Sequence, residues 1–209
     1  MTAIILASTS PRRRALLALL GRPFDLATPD VNETPLPGET PTALARRLAR
    51  LKAATVVREE PTAVVVAADT VVALGGEVLG KPMSADDAAR MLRALRGLPH
   101  DVFTGVAVAR GAQVWDAVVT SQVIMRPYTD EDIAAYVASG DPLDKAGAYA
   151  IQHPGFQPVA DLRGCYANVV GLPLCAVWRL LREAGIDTPP GLINDCAPPR
   201  VCAVPREMG

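Results

Sequence analysis

A run of hydroxyl and guanidinium side chains near the N-terminus has the composition of an anion-binding site. The run is STSPRRR at residues 8–14, and it follows a short apolar segment. If a helix begins at Pro11, its free backbone N–H groups and the positive end of its dipole favour an anion. The hydroxyl and guanidinium groups add donors that suit phosphate oxygens. The same residues are also compatible with a simple serine N-cap followed by a solvated basic turn.

A carboxylate in the middle of an apolar segment is the strongest single-residue signal in the chain. Asp69 lies in AADTVV at residues 67–72. A buried charge is unfavourable unless it is paired or binds a metal, and ligands of open α/β sheets bind at the carboxyl ends of strands. We therefore predict a functional site at Asp69. The alternative is a carboxylate that local backbone amides satisfy.

The segment GGEVLGKP at residues 75–82 matches the spacing of a phosphate-binding P-loop but not its chemistry. Pro82 occupies the position that requires Ser or Thr, and proline offers neither a hydroxyl for magnesium nor an N–H for phosphate. We predict that this segment is not a P-loop. Lys81 could still reach a phosphate as a point charge.

The segment at residues 141–152, DPLDKAGAYAIQ, combines opposed charges, a glycine and an amide. Binding groups are often found in such connecting segments, although surface charge pairs are equally compatible with this composition. Glu33 lies in an acidic, proline-rich loop and is uninformative by itself.

The segments around these residues alternate between strand and helix patterns, which predicts an α/β fold. Capping residues followed by apolar periodicity predict helices. Predicted strands cover residues 3–7, 24–27, 63–74, 102–110 and 113–125, with short strands near Tyr149 and Val159. Predicted helices begin at Pro11, Pro41, Ser84, Thr129 and Pro173, and the last of them ends at Gly185.

Composition restricts the class of protein. The chain has 209 residues, a formal net charge of −1 and 50% hydrophobic residues. These values exclude a disordered chain and argue against a nucleic-acid binder with a basic surface. No apolar stretch reaches the roughly 20 residues that a membrane helix needs. We expect one two-lobed domain over residues 1–186 and a flexible, proline-rich tail over 187–209.

The cysteines and histidines form no metal-binding motif. The four cysteines include no C-x-x-C pair, and the two histidines are far apart. The N-terminus lacks the layout of a signal peptide. We interpret the cysteines as free thiols and place the protein in the cytoplasm.

Lysine is rare in this chain, which otherwise uses arginine as its cation. Of the 21 basic residues, three are lysines, at Lys52, Lys81 and Lys145. Codon bias explains the excess of arginine but not the positions of these lysines. An ammonium and a guanidinium are not interchangeable at a phosphate or metal site, so we hypothesise that lysine persists where arginine cannot serve.

Taken together, these segments resemble the Maf family of nucleotide pyrophosphatases. The resemblance extends from residue 3 to about residue 185. The matching pieces are STSPRR (8–13), Glu33, KA (52–53), ADTVV (68–72), GKP (80–82), TGV (104–106), DKAGAYAIQ (144–152) and NVVGLPL (168–174). His153 and Pro154 depart from the small residues that the family more often has there, at the rim of the expected base pocket.

The resemblance implies a two-lobed α/β fold, with a mixed sheet flanked by helices and a central cleft. It implies a homodimer and the hydrolysis of a nucleoside triphosphate to the monophosphate and pyrophosphate, assisted by Mg²⁺ or Mn²⁺. Asp69-Thr70 and Gln152 resemble the branch that acts on dTTP and UTP. The alternatives are the same chemistry on 7-methyl-GTP or another modified nucleotide, or a non-catalytic regulator of septum formation.

The resemblance also implies roles for individual residues. Asp69 would accept a proton, and Arg12, Thr70 and Gln152 would shape base selection. Glu33 and Asp69 would hold the metal. The residues expected to bind phosphate are Ser8, Ser10, Arg13, Lys52, Lys81 and Lys145.

Overall fold

A computed structural model describes residues 2–187 and contains a mixed seven-stranded sheet with helices on both faces. The strands are β1 (Ile4–Ala7), β2 (Asp25–Ala27), β3 (Val64–Leu74), β4 (Glu77–Leu79), β5 (Pro99–Arg110), β6 (Gln113–Met125) and β7 (Val159–Arg163). The helices are α1 (Pro11–Ala18), α2 (Pro41–Glu59), α3 (Ala85–Leu95), α4 (Asp130–Ala138), α5 (Tyr166–Val170) and α6 (Leu174–Glu183). The predicted α/β class is confirmed. Most of the predicted tail, residues 188–209, lies outside the described residues.

The sheet order leaves a notch beside β3. The strands follow the order β2-β1-β3-β5-β6-β7, with β1 parallel to β2 and β3 and the later pairs antiparallel. The last pair between β1 and β3 joins Ala7 to Ala67, and β4 pairs with β3 only from Val72 onward. Among the described strands, none pairs with residues 68–71 on that edge of β3. Asp69 and Thr70 therefore face an opening in the sheet.

Apolar side chains pack into clusters on both faces of this sheet. One cluster joins α1 and α6 to the first half of β3 and the second half of β5, and another packs α2 against the opposite face. A further cluster packs α3 and α4 against the start of β5 and the end of β6. The apolar side chains that recur at helical and strand spacing thus form three packed clusters between the helices and the sheet.

Local capping signals identify the helix starts correctly. The side chains of Ser10, Thr40, Ser84 and Thr129 cap their helices, and Thr129 with Asp132 forms a capping box. The predicted hairpin of β5 and β6 is confirmed as well.

Three parts of the fold differ from the predictions. β4 and α5 were not predicted, and the strand expected near Tyr149 is wrong. Residues Asp141–Asp144 and Ala146–Ala148 form 3₁₀ turns instead, with Gly147 at φ 70° and Ala148 at φ 59°. This left-handed backbone is incompatible with a strand. The tight turns bring the charged groups of this segment together.

Two further observations concern the cysteines and the helices. Cys175 is disulfide-bonded, so the interpretation of all four cysteines as free thiols is wrong at this position. No helix within residues 2–187 is both long enough and apolar enough to cross a membrane.

Candidate active site

A cavity of about 670 Å³ opens at the notch beside β3. Its walls come from the end of β1, the start of α1, the loop at residues 28–35, α2, β3, the segment after β4 and the segment 144–152. The cavity brings together every residue that the sequence assigned to the site. These residues are Ser8, Ser10, Arg12, Arg13, Glu33, Lys52, Asp69, Thr70, Lys81, Lys145 and Gln152.

The centre of the cavity is an ammonium held between two carboxylates. Lys52 projects from α2, and its Nζ lies 2.6 Å from Asp69 Oδ1 and 2.5 Å from Glu33 Oε1. Lys52 and Asp69 are buried, whereas half of the Glu33 side chain remains exposed. Asp69 is thus paired with a cation, in contrast to the alternative in which local backbone amides satisfy it.

Glu33 stays anionic in this arrangement. Burial acts to raise the pKa of Glu33, but the hydrogen bond from Lys52 and the surrounding positive charges outweigh it and lower that pKa. The loop at residues 28–35 therefore contributes a fixed negative charge beside Asp69.

The start of α1 supplies a cluster of donors at the side of the cavity. Ser10 caps the helix by accepting the Arg13 N–H at 3.4 Å, so the capping interpretation of this serine is confirmed. Ser8 lies just before the helix and accepts the Ser10 N–H at 3.2 Å. Capping and anion binding remain compatible here, because an N-cap leaves other helix-terminal N–H groups available.

Arg13 is bound to the wall of the cavity. Its Nε donates to Gly171 O at 2.8 Å and its Nη2 to Thr70 Oγ1 at 3.1 Å, while Nη1 lies 3.5 Å from Ser8 Oγ. Burial lowers the pKa of Arg13, and the charge of Asp69 opposes that effect. Arg13 fixes the relative positions of β3, α1 and the turn after α5.

The segment 144–152 closes the cavity and is organised by Lys145. The buried Lys145 ammonium donates to Asp141 O, to Asp141 Oδ1 at 3.0 Å and to Asp144 Oδ1 at 2.6 Å. Gly147 N donates to Gly80 O at 3.1 Å, which joins this segment to the residue before Lys81. Arg12 faces Asp144 from α1, with 3.7 Å between Nη1 and Oδ2.

The three lysines of the sequence all line this cavity, and we call them the cavity lysines. Lys52 and Lys145 are buried and hold carboxylates, whereas Lys81 is exposed at the rim. Among the described residues, Lys81 forms no ion pair. Its ammonium is therefore available to an anionic ligand.

Several residues behind the cavity wall were given no role in the site from the sequence. Thr104 Oγ1 lies 3.0 Å from Thr70 Oγ1 and donates to Asn168 O at 2.8 Å. Tyr136 OH donates to Asp141 Oδ2 at 2.6 Å and accepts the Ala150 N–H at 3.0 Å. The sequence did contain one signal for such a residue. Thr104 lies in a buried, valine-rich strand, where its hydroxyl requires a hydrogen-bond partner.

The described residues hold no preassembled metal cage. In the range 2–187, no group of three or more His, Cys, Asp or Glu side chains is arranged to bind a metal ion. Asp144 lines the cavity beside Lys145, whereas Glu33 and Asp69 are the two cavity carboxylates that share Lys52. This set fits a hard cation that completes its shell with ligand oxygens and water.

The chain is similar to known proteins over most of its length. A family described as "Maf-like protein" matches residues 3–184. The chain is 53% identical to a dTTP/UTP pyrophosphatase of Thermomicrobium roseum, over 89% of this chain and 87% of the relative. It is 52% identical to a dTTP/UTP pyrophosphatase of Anaeromyxobacter dehalogenans, over 89% and 96%, and 50% identical to one of Geobacter sulfurreducens, over 87% and 96%.

Among solved structures, the Ham1 protein of Staphylococcus aureus matches with a TM-score of 0.45 and 16% identity, over 60% of this chain and 73% of the other. A likeness at this level assigns no function.

Proposed function

This chain belongs to the Maf family, and we propose that it is a dTTP/UTP pyrophosphatase, which hydrolyses these nucleotides to the monophosphate and pyrophosphate. The observation that carries this proposal is the Asp69–Lys52–Glu33 cluster, which lies in a cavity rimmed by cationic and hydroxyl donors. Relatives about half identical over most of the chain carry the same name.

The reaction requires a base and a binding site for the triphosphate. We assign the base to Asp69, which accepts a proton from water as the water oxygen bonds to the α-phosphorus. The bond between the α-phosphorus and the oxygen that bridges to the β-phosphate breaks, and this oxygen leaves with pyrophosphate. Lys52 orients the Asp69 carboxylate through their 2.6 Å contact.

The phosphates are held by the donors around the cluster. Ser8, Ser10 and the start of α1 offer hydroxyl and backbone donors on one side. On the other side, Lys81 offers an ammonium that forms no ion pair with any described residue. Because these groups offer donors and positive charge, they favour the anionic part of the nucleotide over its base.

A divalent cation fits the two carboxylates only together with the substrate. Mg²⁺ binds through one or two carboxylates plus phosphate oxygens and water, and Glu33 and Asp69 supply that number. When bound, the cation would neutralise charge on the phosphates. We propose Mg²⁺ or Mn²⁺ in this role.

Base selection is assigned to Arg12, Thr70 and Gln152, which line the same cavity. The Gln152 amide presents both a donor and an acceptor, and its donor matches a carbonyl oxygen of uracil or thymine. Lys145 was expected to bind phosphate. Because three oxygens of Asp141 and Asp144 already receive its three N–H groups, its contacts favour a positioning role.

The family resemblance also supports a homodimer in the cytoplasm, and we retain both as proposals. Neither depends on the geometry of the cavity.

A turnover panel tests the proposed function. The wild-type protein is assayed with Mg²⁺ on dTTP, UTP, CTP, 7-methyl-GTP and ITP, and pyrophosphate and orthophosphate are measured separately. We expect pyrophosphate as the product, with kcat/KM for dTTP and UTP at least about tenfold above the others. A higher kcat/KM on 7-methyl-GTP or ITP, or release of orthophosphate alone, would contradict the proposal.

A further inference from the structure

A chain of hydrogen bonds runs from the cavity into the protein interior behind Thr70. Arg13 Nη2 lies 3.1 Å from Thr70 Oγ1, which lies 3.0 Å from Thr104 Oγ1. Thr104 Oγ1 in turn lies 2.8 Å from Asn168 O. Thr104 and Asn168 are fully buried, so water does not replace these partners.

The direction of each hydrogen bond follows from counting protons. A hydroxyl has one proton to donate, a carbonyl can only accept, and a guanidinium can only donate. The Thr104 proton therefore points to Asn168 O, and the Thr70 proton must point to Thr104. The reverse arrangement would deprive the buried Asn168 carbonyl of this donor, which is unfavourable.

The same count leaves Thr70 with one function toward the cavity. Its proton is committed to Thr104, and one lone pair accepts from Arg13. One lone pair remains, so the Thr70 hydroxyl can accept a hydrogen bond from a ligand but cannot donate one.

The surroundings keep this hydroxyl in place. Arg13 is fixed through its 2.8 Å bond to Gly171 O. Gly171 has φ 119°, and a Cβ there would lie 3.2 Å from Thr70 Oγ1. The turn after α5 thus approaches Thr70 closely through a residue without a side chain, and the contacts with Arg13 and Thr104 hold the hydroxyl in one orientation.

We propose that Thr104 is a positioning residue for base selection, because it holds the Thr70 proton away from the cavity. Thr70 then accepts from the N3–H group of uracil or thymine and rejects cytosine, whose N3 is itself an acceptor. This inference rests on the proposed function, in which Thr70 contacts the base.

Equilibrium binding of UMP and CMP, measured by calorimetry, tests the inference in the wild type, in Thr104→Val and in Thr104→Ser. Valine has the shape of threonine but cannot accept the Thr70 proton, whereas serine keeps the hydroxyl. We expect the wild type and Thr104→Ser to bind UMP about tenfold or more tightly than CMP. Thr104→Val frees the Thr70 proton for cytosine N3, so we expect its preference to fall below about threefold.

Thr104→Ala provides the second variant if Thr104→Val fails to fold, and it is expected to show the same loss of preference. A merely structural role would weaken UMP and CMP binding equally in these variants and keep their ratio, which would overturn the inference. A wild-type protein that binds UMP and CMP equally would overturn it as well. A wild type that prefers UMP but releases no pyrophosphate from UTP would overturn the proposed function and not this inference.

Discussion

His100 makes the stability of the protein depend on pH in a window where few other groups titrate. The imidazole is 2% exposed, and its Nε2 lies 2.7 Å from Tyr149 OH, below the segment that closes the cavity. Burial lowers the pKa of His100 to about 4. The folded protein therefore keeps this imidazole neutral at a pH where the unfolded chain, with a pKa of about 6.5, takes up a proton.

The sign and size of the effect follow from linkage. As pH falls below about 6.5 the unfolded state binds the proton first, so stability is lost until the pH reaches the folded pKa near 4. Between pH 7.5 and pH 5 the expected loss is about 2 kcal/mol. Most carboxylates titrate below this window, and Glu33, Asp141 and Asp144 have pKa values lowered further.

Urea unfolding at pH 7.5 and pH 5 measures this loss. His100→Gln is the matched control, because its amide can still reach Tyr149 but does not titrate. We expect the wild type to lose about 2 kcal/mol of unfolding free energy and the variant to lose less than about 0.5 kcal/mol. Equal losses in the two proteins would refute the assignment to His100.

Three further predictions concern the segment that closes the cavity, the contact between β5 and α2, and the cavity lysines. Tyr136→Phe removes the hydroxyl between Asp141 and Ala150, so steady-state kinetics should show KM for UTP raised about tenfold with kcat within about threefold; an unchanged KM would contradict a role in holding the closing segment. Gly105→Ala places a Cβ 2.1 Å from Ala45 O, so thermal unfolding should show a loss of several kcal/mol or no folded protein; wild-type stability would contradict this close approach. Replacing each cavity lysine by arginine should lower kcat/KM about tenfold or more in at least one variant; near-normal turnover in all three would attribute the lysine positions to codon bias.

The sequence contained the local signals of the fold but not its long-range contacts. Capping residues such as Ser10 and Thr129 act within four residues, so the helix starts were predictable. No strand forms near Tyr149, because Gly147 and Ala148 adopt a left-handed backbone that the apolar composition of this segment does not reveal. β4 is a three-residue strand that depends on its pairing with β3, and so short a strand has little pattern of its own.

In the candidate site as well, local signals were predictable from the sequence and long-range contacts were not. Asp69 was identifiable because a carboxylate inside an apolar strand requires an explanation. Its partner Lys52 lies 17 residues away on α2, and the resemblance, not the spacing, placed it at the site. Thr104 and Asn168 lie 34 and 64 residues from the groups they contact, so their local sequence does not identify those partners.

Burial of the Lys52–Asp69 ion pair is unfavourable in free energy, which is consistent with a functional role for the pair. A buried ion pair is often no more stable than an apolar replacement, because desolvation offsets the attraction. Lys52 and Asp69 are both buried, and the cavity opens beside them. A charged pair retained at the open edge of β3 is therefore better explained by chemistry on a ligand than by stability.

Pyrophosphate release from UTP by the wild type and by Asp69→Asn tests the central claim most directly. The amide keeps the size of the side chain, and Lys52 keeps its contact with Glu33. We expect kcat to fall by about 10²–10⁴-fold, with thermal unfolding and UTP binding largely preserved. Turnover by Asp69→Asn within about threefold of the wild type would contradict the role of Asp69 as the base.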